Sequence, residues 1–211
     1  MMSISGGSSR SRWLGRALRL EWLTVGWNIV EGGVGIAAAL AAGSTVLLGF
    51  GIDSFVESIS GSIMIWRLMI EGGGAHLARV ERVENLARRL IAASLLILAI
   101  YIGIDAGLTL WRQERPRPTF VGIALTLISI GVMIWLGRAK RRAAIALQSR
   151  ALESDVVQTT ACWWLSIITL TGIGLNAIFG WWWADPLGAF GLSFFLVREA
   201  RESWSGDECA C

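Results

Sequence analysis

The sequence predicts an all-α integral membrane protein built as a bundle of six transmembrane helices. Hydrophobic residues make up 54% of the 211 residues and charged residues only 17%, which is less polar surface than a soluble domain of this length needs. Six apolar segments approach the length of about 20 residues with which a helix crosses the hydrocarbon core. Since the chain is too short for two sizeable soluble domains, we expect one membrane domain.

The six predicted spans follow one another with short connections. They cover residues 20–42, 45–70, 90–111, 119–137, 155–179 and 186–197. We therefore divide the chain into a basic N-terminal segment of residues 1–19, a six-helix transmembrane domain of residues 20–202 and a short tail of residues 203–211.

The basic residues predict the orientation of these helices. The chain has 19 lysine and arginine residues, of which only Arg112, Arg115 and Arg117 lie between the third and fourth spans. The others fall where the opposite ends of the helices meet, and loops rich in positive charge stay in the cytoplasm. We expect a multi-pass plasma-membrane protein with both termini cytoplasmic. No continuous basic patch is predicted, so nucleic acid is not an expected partner.

Several acidic residues interrupt the apolar spans. Glu31 lies in the first span, Asp53 and Glu57 in the second, and Glu153 and Asp155 at the start of the fifth. A charge at mid-bilayer costs about 2.5–3.5 kcal/mol on insertion scales. Together Glu31, Asp53, Glu57 and Asp155 therefore cost on the order of 10 kcal/mol. No lysine or arginine is predicted deep in any span. We therefore expect protons, metal cations or other acidic groups to neutralise these carboxylates.

The spacing of the acids favours a metal site. Asp53 and Glu57 are four residues apart, which places their Cβ atoms about 5–6 Å apart on one helix face. Asp155, Thr159 and Cys162 share a face of the fifth helix by the same rule. If the two faces meet, three carboxylates with a hydroxyl or thiol form a cage that suits hard or borderline divalent cations. The alternative is that the acids line a water-filled crevice or hold helices together when protonated.

Four short motifs, in order, resemble the cation diffusion facilitator family of metal/proton antiporters over roughly residues 20–202. The segment from Asp53 to Glu57, with Gly43 and Ser44 upstream, is similar to the family's D/H-x-x-x-D metal motif. Asp155 falls on the aspartate of the H-x-x-x-D region. The other two motifs are residues 75–87, which resemble the stretch leading into the third helix, and residues 182–189, which resemble the entry into the sixth.

The resemblance implies a function and a set of partners. It implies a transporter, not an enzyme, that exports a divalent metal from the cytoplasm in exchange for protons by alternating access. The cargo would be zinc, manganese or iron, with no tightly bound cofactor. Homodimers are common in the family, so divalent metal ions, protons, the lipid bilayer and a second copy of the chain are the expected partners.

Three departures from the family pattern affect the expected site. Glu57 replaces an aspartate, and Ala151 stands where a histidine is expected four residues before Asp155. The fourth ligand would then come from another donor, and the candidates are Glu153, Thr159, Cys162 and Glu31. We also expect a short form without the family's C-terminal cytoplasmic domain. Loss of the histidine favours manganese or iron(II), whereas a contribution from Cys162 would favour zinc or cadmium.

Two other classes of function compete with transport. One is a non-transporting membrane scaffold or assembly protein whose intramembrane carboxylates stay protonated. The other is an intramembrane hydrolase, which the sequence disfavours because its one histidine, His76, lies in a polar loop. Neither a Gly-x-Ser-x-Gly nor a His-Glu-x-x-His motif is present.

Overall fold

The computed structural model describes residues 5–42, 45–113 and 120–205, and all six elements in these ranges are α-helices. They are α1 (Ser5–Ala42), α2 (Thr45–Gly72), α3 (Leu77–Arg112), α4 (Phe120–Leu147), α5 (Arg150–Phe179) and α6 (Ala184–Ser205). The predicted six-helix, all-α fold is confirmed. Gly43, Ser44, Arg115, Arg117 and most of the tail, residues 206–211, lie outside the described residues.

The helices extend beyond the apolar spans, most clearly where α4 gives way to α5. Gln148 adopts a left-handed conformation, with φ 50°, that ends α4. Ser149 then caps α5, since its side-chain oxygen accepts a hydrogen bond of 3.2 Å from the backbone N–H of Leu152. A serine in this position satisfies one of the free N–H groups of the first turn. The basic stretch after the fourth span is therefore mostly the last turns of α4.

The distribution of residues is that of a membrane bundle with a polar interior. Large apolar side chains point outward, among them Trp111, Phe120 and Phe194. Charged side chains such as Asp53 and Lys140 are fully buried. In the described part of the chain, Ala78–Arg112 and Phe120–Leu147 are long and apolar enough to cross a bilayer by length and composition alone. Ionisable groups that face the interior of such a bundle usually line a substrate or ion path.

Helix α1 packs along α2 and α4, while α3 packs along α6 and α5 contacts α2, α3, α4 and α6. Glycines allow the closest of these approaches. A Cβ atom on Gly32 of α1 would lie 3.0 Å from the carbonyl oxygen of Gly51 in α2. A Cβ atom on Gly51 would likewise lie 3.0 Å from the carbonyl oxygen of Gly32. Small residues allow helix backbones in membranes to approach closely. This contact places the acidic faces of α1 and α2 against each other.

A charge network closes one end of the bundle. Arg67 of α2 is buried and forms ion pairs with Glu71, at 2.5 Å, and with Glu84 of α3. Glu84 also accepts hydrogen bonds from the Ser149 hydroxyl, at 2.9 Å, and from the backbone N–H of Ala151, at 3.0 Å. The network therefore joins α2, α3 and the start of α5.

Replacing Arg67 should destabilise the folded protein. Arg67→Ala removes the shared partner of two largely buried carboxylates, which we expect to cost about 3 kcal/mol of unfolding free energy. Arg67→Lys should recover only part of this loss, because an ammonium group lacks the planar fork that binds two carboxylates at once. Thermal unfolding of the purified protein in detergent measures both changes. Arg198→Ala, which breaks an exposed pair with Glu202, is the control, and an equal loss in this variant would contradict the prediction.

Candidate functional site

The predicted acidic pair of α2 lies inside the bundle. Asp53 and Glu57 are one helical turn apart and only 2% and 1% exposed. Glu31 of α1 is fully buried and lies within electrostatic range of both side chains. Its Oε2 atom accepts a hydrogen bond of 3.2 Å from the hydroxyl of Ser54. Three carboxylates from two helices therefore share one buried region.

Helix α5 adds a thiol and a hydroxyl to this region. Cys162 is 3% exposed and lies beside both Asp53 and Glu57, while Thr159 lies beside Glu57. Both α5 residues follow Asp155 at helical spacing, as the sequence predicted. The acidic face of α2 and the polar face of α5 therefore meet inside the bundle.

Most of the carboxylate oxygens here lack hydrogen-bond donors. Among the described residues, no hydrogen bond of normal geometry reaches Oδ1 of Asp53, Oε1 of Glu31 or either oxygen of Glu57. Thr159 and Cys162 lie near Glu57 but donate no hydrogen bond of normal geometry to its oxygens. A buried acceptor without a donor costs about 1–3 kcal/mol, and more if it is charged. Bound protons or a bound cation would remove this cost.

The structure corrects the expectation that no cation lies among these acids. Lys140 of α4 is buried, and its Nζ atom is 2.6 Å from Oδ2 of Asp155 and 2.8 Å from Oε2 of Glu21. The same ammonium group donates a hydrogen bond of 3.4 Å to the hydroxyl of Thr159. Lys140 lies near the C-terminal end of α4, among arginines whose positive charge had predicted only a cytoplasmic flank. Its long side chain extends from there into the interior of the bundle. Asp155 is therefore paired with a lysine.

Helical periodicity contained a signal for these two missed residues. The buried residues of α4 include Ser129, Met133, Leu136 and Leu147, and Lys140 continues this stripe. On α1, Glu21 precedes Thr24, Asn28 and Glu31 at spacings of three and four, and all four are fully buried. Residues at such spacings share one helix face. Grouping the residues by helix face, instead of by the ends of the apolar segments, would have placed Lys140 and Glu21 among the candidate site residues.

Glu153 is placed away from the other candidates. Its side chain is exposed and lines a surface cavity of about 710 Å³ with Arg138, Arg141 and Glu199. Of the side chains considered as substitutes for the missing histidine, Glu31, Thr159 and Cys162 lie next to the α2 pair, and Glu153 does not. Ala151 itself is buried, and its backbone N–H donates to Glu84.

The candidate ligands do not form a finished coordination sphere in this conformation. Among the described residues, no three of the histidine, cysteine, aspartate and glutamate side chains are placed to hold one metal ion. The ion pair with Lys140 turns one oxygen of Asp155 toward α4. Asp53 and Glu57 thus have buried oxygens without hydrogen-bond donors, whereas Asp155 has one oxygen paired with Lys140 and one, Oδ1, without a partner among the described residues.

Two isosteric substitutions should separate these environments. Glu57→Gln replaces a buried carboxyl group whose oxygens accept no hydrogen bond, so the unfolding temperature should equal or exceed that of the unsubstituted protein. Asp155→Asn removes the charge paired with Lys140, and we expect it to lose about 2 kcal/mol of stability. Glu153→Gln, on the exposed side of α5, is the control for both. Thermal unfolding without added metal makes the comparison, and a larger loss in Glu57→Gln than in Asp155→Asn would show that the environments are assigned incorrectly.

Known proteins of similar sequence indicate the family to which this chain belongs. An uncharacterized transporter of Synechocystis sp. is 29% identical over 194 residues, which cover 87% of this chain and 58% of that protein. The cation-efflux pump FieF of Shewanella oneidensis is 24% identical over 168 residues, which cover 78% of this chain and 56% of the pump. The chain thus spans less than two thirds of the length of the curated relatives it matches.

The family model for the cation efflux transmembrane domain matches residues 22–204. This range takes in most of the six-helix bundle, including Glu31, Asp53, Glu57 and Asp155, and it begins one residue after Glu21. The resemblance found in the sequence motifs is thereby confirmed, and the helices belong to a membrane protein. The chain is a member of the cation efflux family of transporters.

Proposed function

We propose that this protein carries divalent metal cations across the membrane in exchange for protons, with Asp53, Glu57 and Asp155 as the principal cation ligands. The observation that carries the proposal is the buried α2 pair: Oδ1 of Asp53 and both carboxylate oxygens of Glu57 lack hydrogen-bond donors among the described residues. Membership in a cation efflux family supports a cation as cargo. Proton exchange, the direction of transport and the ligand set belong to the proposal.

The chemistry of the site supports a coupled exchange. Glu31, Asp53 and Glu57 are too deeply buried and too close together for all three to remain charged without compensation. Protons neutralise them when no cation is bound, and a divalent cation replaces those protons when it enters. Alternating access would then release the cation on the far side as protons return. Both termini would face the cytoplasm, and residues 20–202 would form the transport unit.

The donors near Asp53 and Glu57 point to a mixed preference among metals. Carboxylate and hydroxyl oxygens suit manganese and iron(II), whereas the thiol of Cys162 favours zinc. Glu31 and Thr159 complete the set of candidate donors beside the pair. A homodimer in the plasma membrane is the assembly that the family resemblance suggests, and the proposed chemistry requires only one copy of the site.

Flux measurements test the proposal directly. The purified protein is reconstituted into liposomes with a pH-sensitive dye inside, and uptake of zinc, manganese, iron(II), cadmium and cobalt is followed. We expect at least one metal to be carried with opposite proton movement, and Asp53→Ala to reduce its flux to the level of empty liposomes. Glu153→Gln should transport normally, because its side chain lies outside the buried region.

Unchanged flux in Asp53→Ala would contradict the proposed site. Absence of flux for all five metals would instead favour the non-transporting membrane scaffold, in which the same acids remain protonated. Asp53→Asn, which keeps the shape of the side chain, guards against a loss of flux caused by misfolding.

The thiol of Cys162 should influence the choice of metal. Cys162→Ser replaces a soft donor by a hard one of similar size, so we expect zinc and cadmium flux to fall about tenfold relative to manganese flux. Competition between zinc and manganese in the same liposomes measures this ratio. An unchanged ratio would show that the thiol does not contact the cation.

A further inference from the structure

We propose that Lys140 competes with the transported cation for Asp155, so that Lys140 and Glu21 together set the metal affinity of the site. The inference rests on the proposed function, because it takes Asp155 as a ligand of the cation. It assigns a role to two residues that lie outside the metal motifs of α2 and α5.

The first support is the position of the ammonium group between two carboxylates on different helices. Lys140 Nζ lies 2.6 Å from Asp155 of α5 and 2.8 Å from Glu21 of α1. All three side chains are at most 1% exposed, so water cannot replace either partner. The lysine must keep at least one of the two carboxylates to remain charged in the interior.

The second support is that Asp155 cannot serve the lysine and a dication equally well. One oxygen of Asp155 is engaged by Lys140, and the other, Oδ1, is buried without a hydrogen-bond partner among the described residues. Glu57 lies within electrostatic range of both Asp155 and Lys140. A dication bound by Glu57 and Asp155 would therefore lie close to the ammonium group and repel it.

Glu21 makes the exchange possible. When a cation takes Asp155, Lys140 keeps its ion pair with Glu21 and is not left as an isolated buried charge. When the cation leaves, Lys140 returns to Asp155 and compensates its charge. A ligand binds more weakly to a site whose competent form is only partly populated, so Lys140 lowers the affinity and thereby favours release.

Two substitutions test this with opposite expected results. Lys140→Gln frees Asp155 and should tighten metal binding about tenfold, a coupling within the usual range. Glu21→Gln leaves Asp155 as the one ion-pair partner of Lys140 among the described residues and should weaken binding about tenfold. Calorimetric titration of the purified protein with Zn²⁺ and, separately, Mn²⁺ gives the dissociation constants. Arg198→Gln, which removes an exposed cation of α6, should leave them unchanged.

A double-mutant cycle separates competition for Asp155 from a general effect of charge. In an Asp155→Asn background, Lys140→Gln should lose most of its tightening effect, because the contested carboxylate is absent. An undiminished effect in that background would overturn the proposal, since it would mean that the lysine acts only through its long-range field. Binding in Lys140→Gln that is equal to or weaker than that of the unsubstituted protein would overturn it as well.

Glu21→Gln keeps the inference testable if Lys140→Gln does not fold, because tighter or unchanged binding in Glu21→Gln contradicts it alone. Failure of the proposed function has a different signature. In that case the unsubstituted protein binds neither metal, or Asp53→Asn leaves the dissociation constant unchanged. Binding that depends on Asp53 but not on Lys140 would refute only the role of the lysine.

Discussion

The structure is governed by the balance of charge inside a low-dielectric bundle. Five buried carboxylates, from Glu21, Glu31, Asp53, Glu57 and Asp155, meet a single ammonium group in the part of the chain that the structure describes. One lysine cannot compensate five ionised acids, and an uncompensated ion in the interior of a protein costs several kcal/mol. The remaining charge must be met by protons or by mobile cations. The proposed transport function is an exchange of one for the other.

The buried charged groups lie where four helices, α1, α2, α4 and α5, contact one another. Glycines at the crossing of α1 and α2 bring Glu31 close to Asp53, and the meeting of α2 with α5 brings Cys162 and Thr159 to the same place. Lys140 approaches from α4. No single helix carries a site, so any relative movement of these helices changes the ligand set. This is the property that a carrier needs, because its affinity must differ between the states that face the two sides of the membrane.

The sequence predicted the features that depend on local pattern. Apolar spans predicted six helices. The spacing of Asp53 with Glu57 and of Asp155 with Thr159 and Cys162 predicted two polar faces, and the structure places Thr159 and Cys162 beside Glu57. Contacts between helices that are far apart in the sequence were harder to predict from local pattern. Lys140 was assigned to a basic flank because arginines surround it, although its buried stripe with Met133 and Leu136 was present in the sequence. Glu153 was included through its proximity to Asp155 in the chain, but its position on α5 points it to the surface.

The remaining difference between motif and structure concerns Asp155. The motif identifies it as a ligand, whereas the fold pairs it with Lys140, and only three-dimensional packing could reveal this pairing. Ala151 replaces the histidine of the family motif, so fewer alternative ligands are available. The pairing of Asp155 with Lys140 is therefore more important for the site. A site with weak or shared ligands binds its cargo less tightly, which suits a transporter that must release it.

In the proposed mechanism, protons neutralise the buried acids when no dication is bound. The most direct measurement is the number of protons released when Zn²⁺ or Mn²⁺ binds, obtained by calorimetry at one pH in buffers of different ionisation enthalpy. We expect a net release of about one proton or more per ion, because the entering cation replaces protons on the carboxylates. Tight binding with no proton release would contradict it.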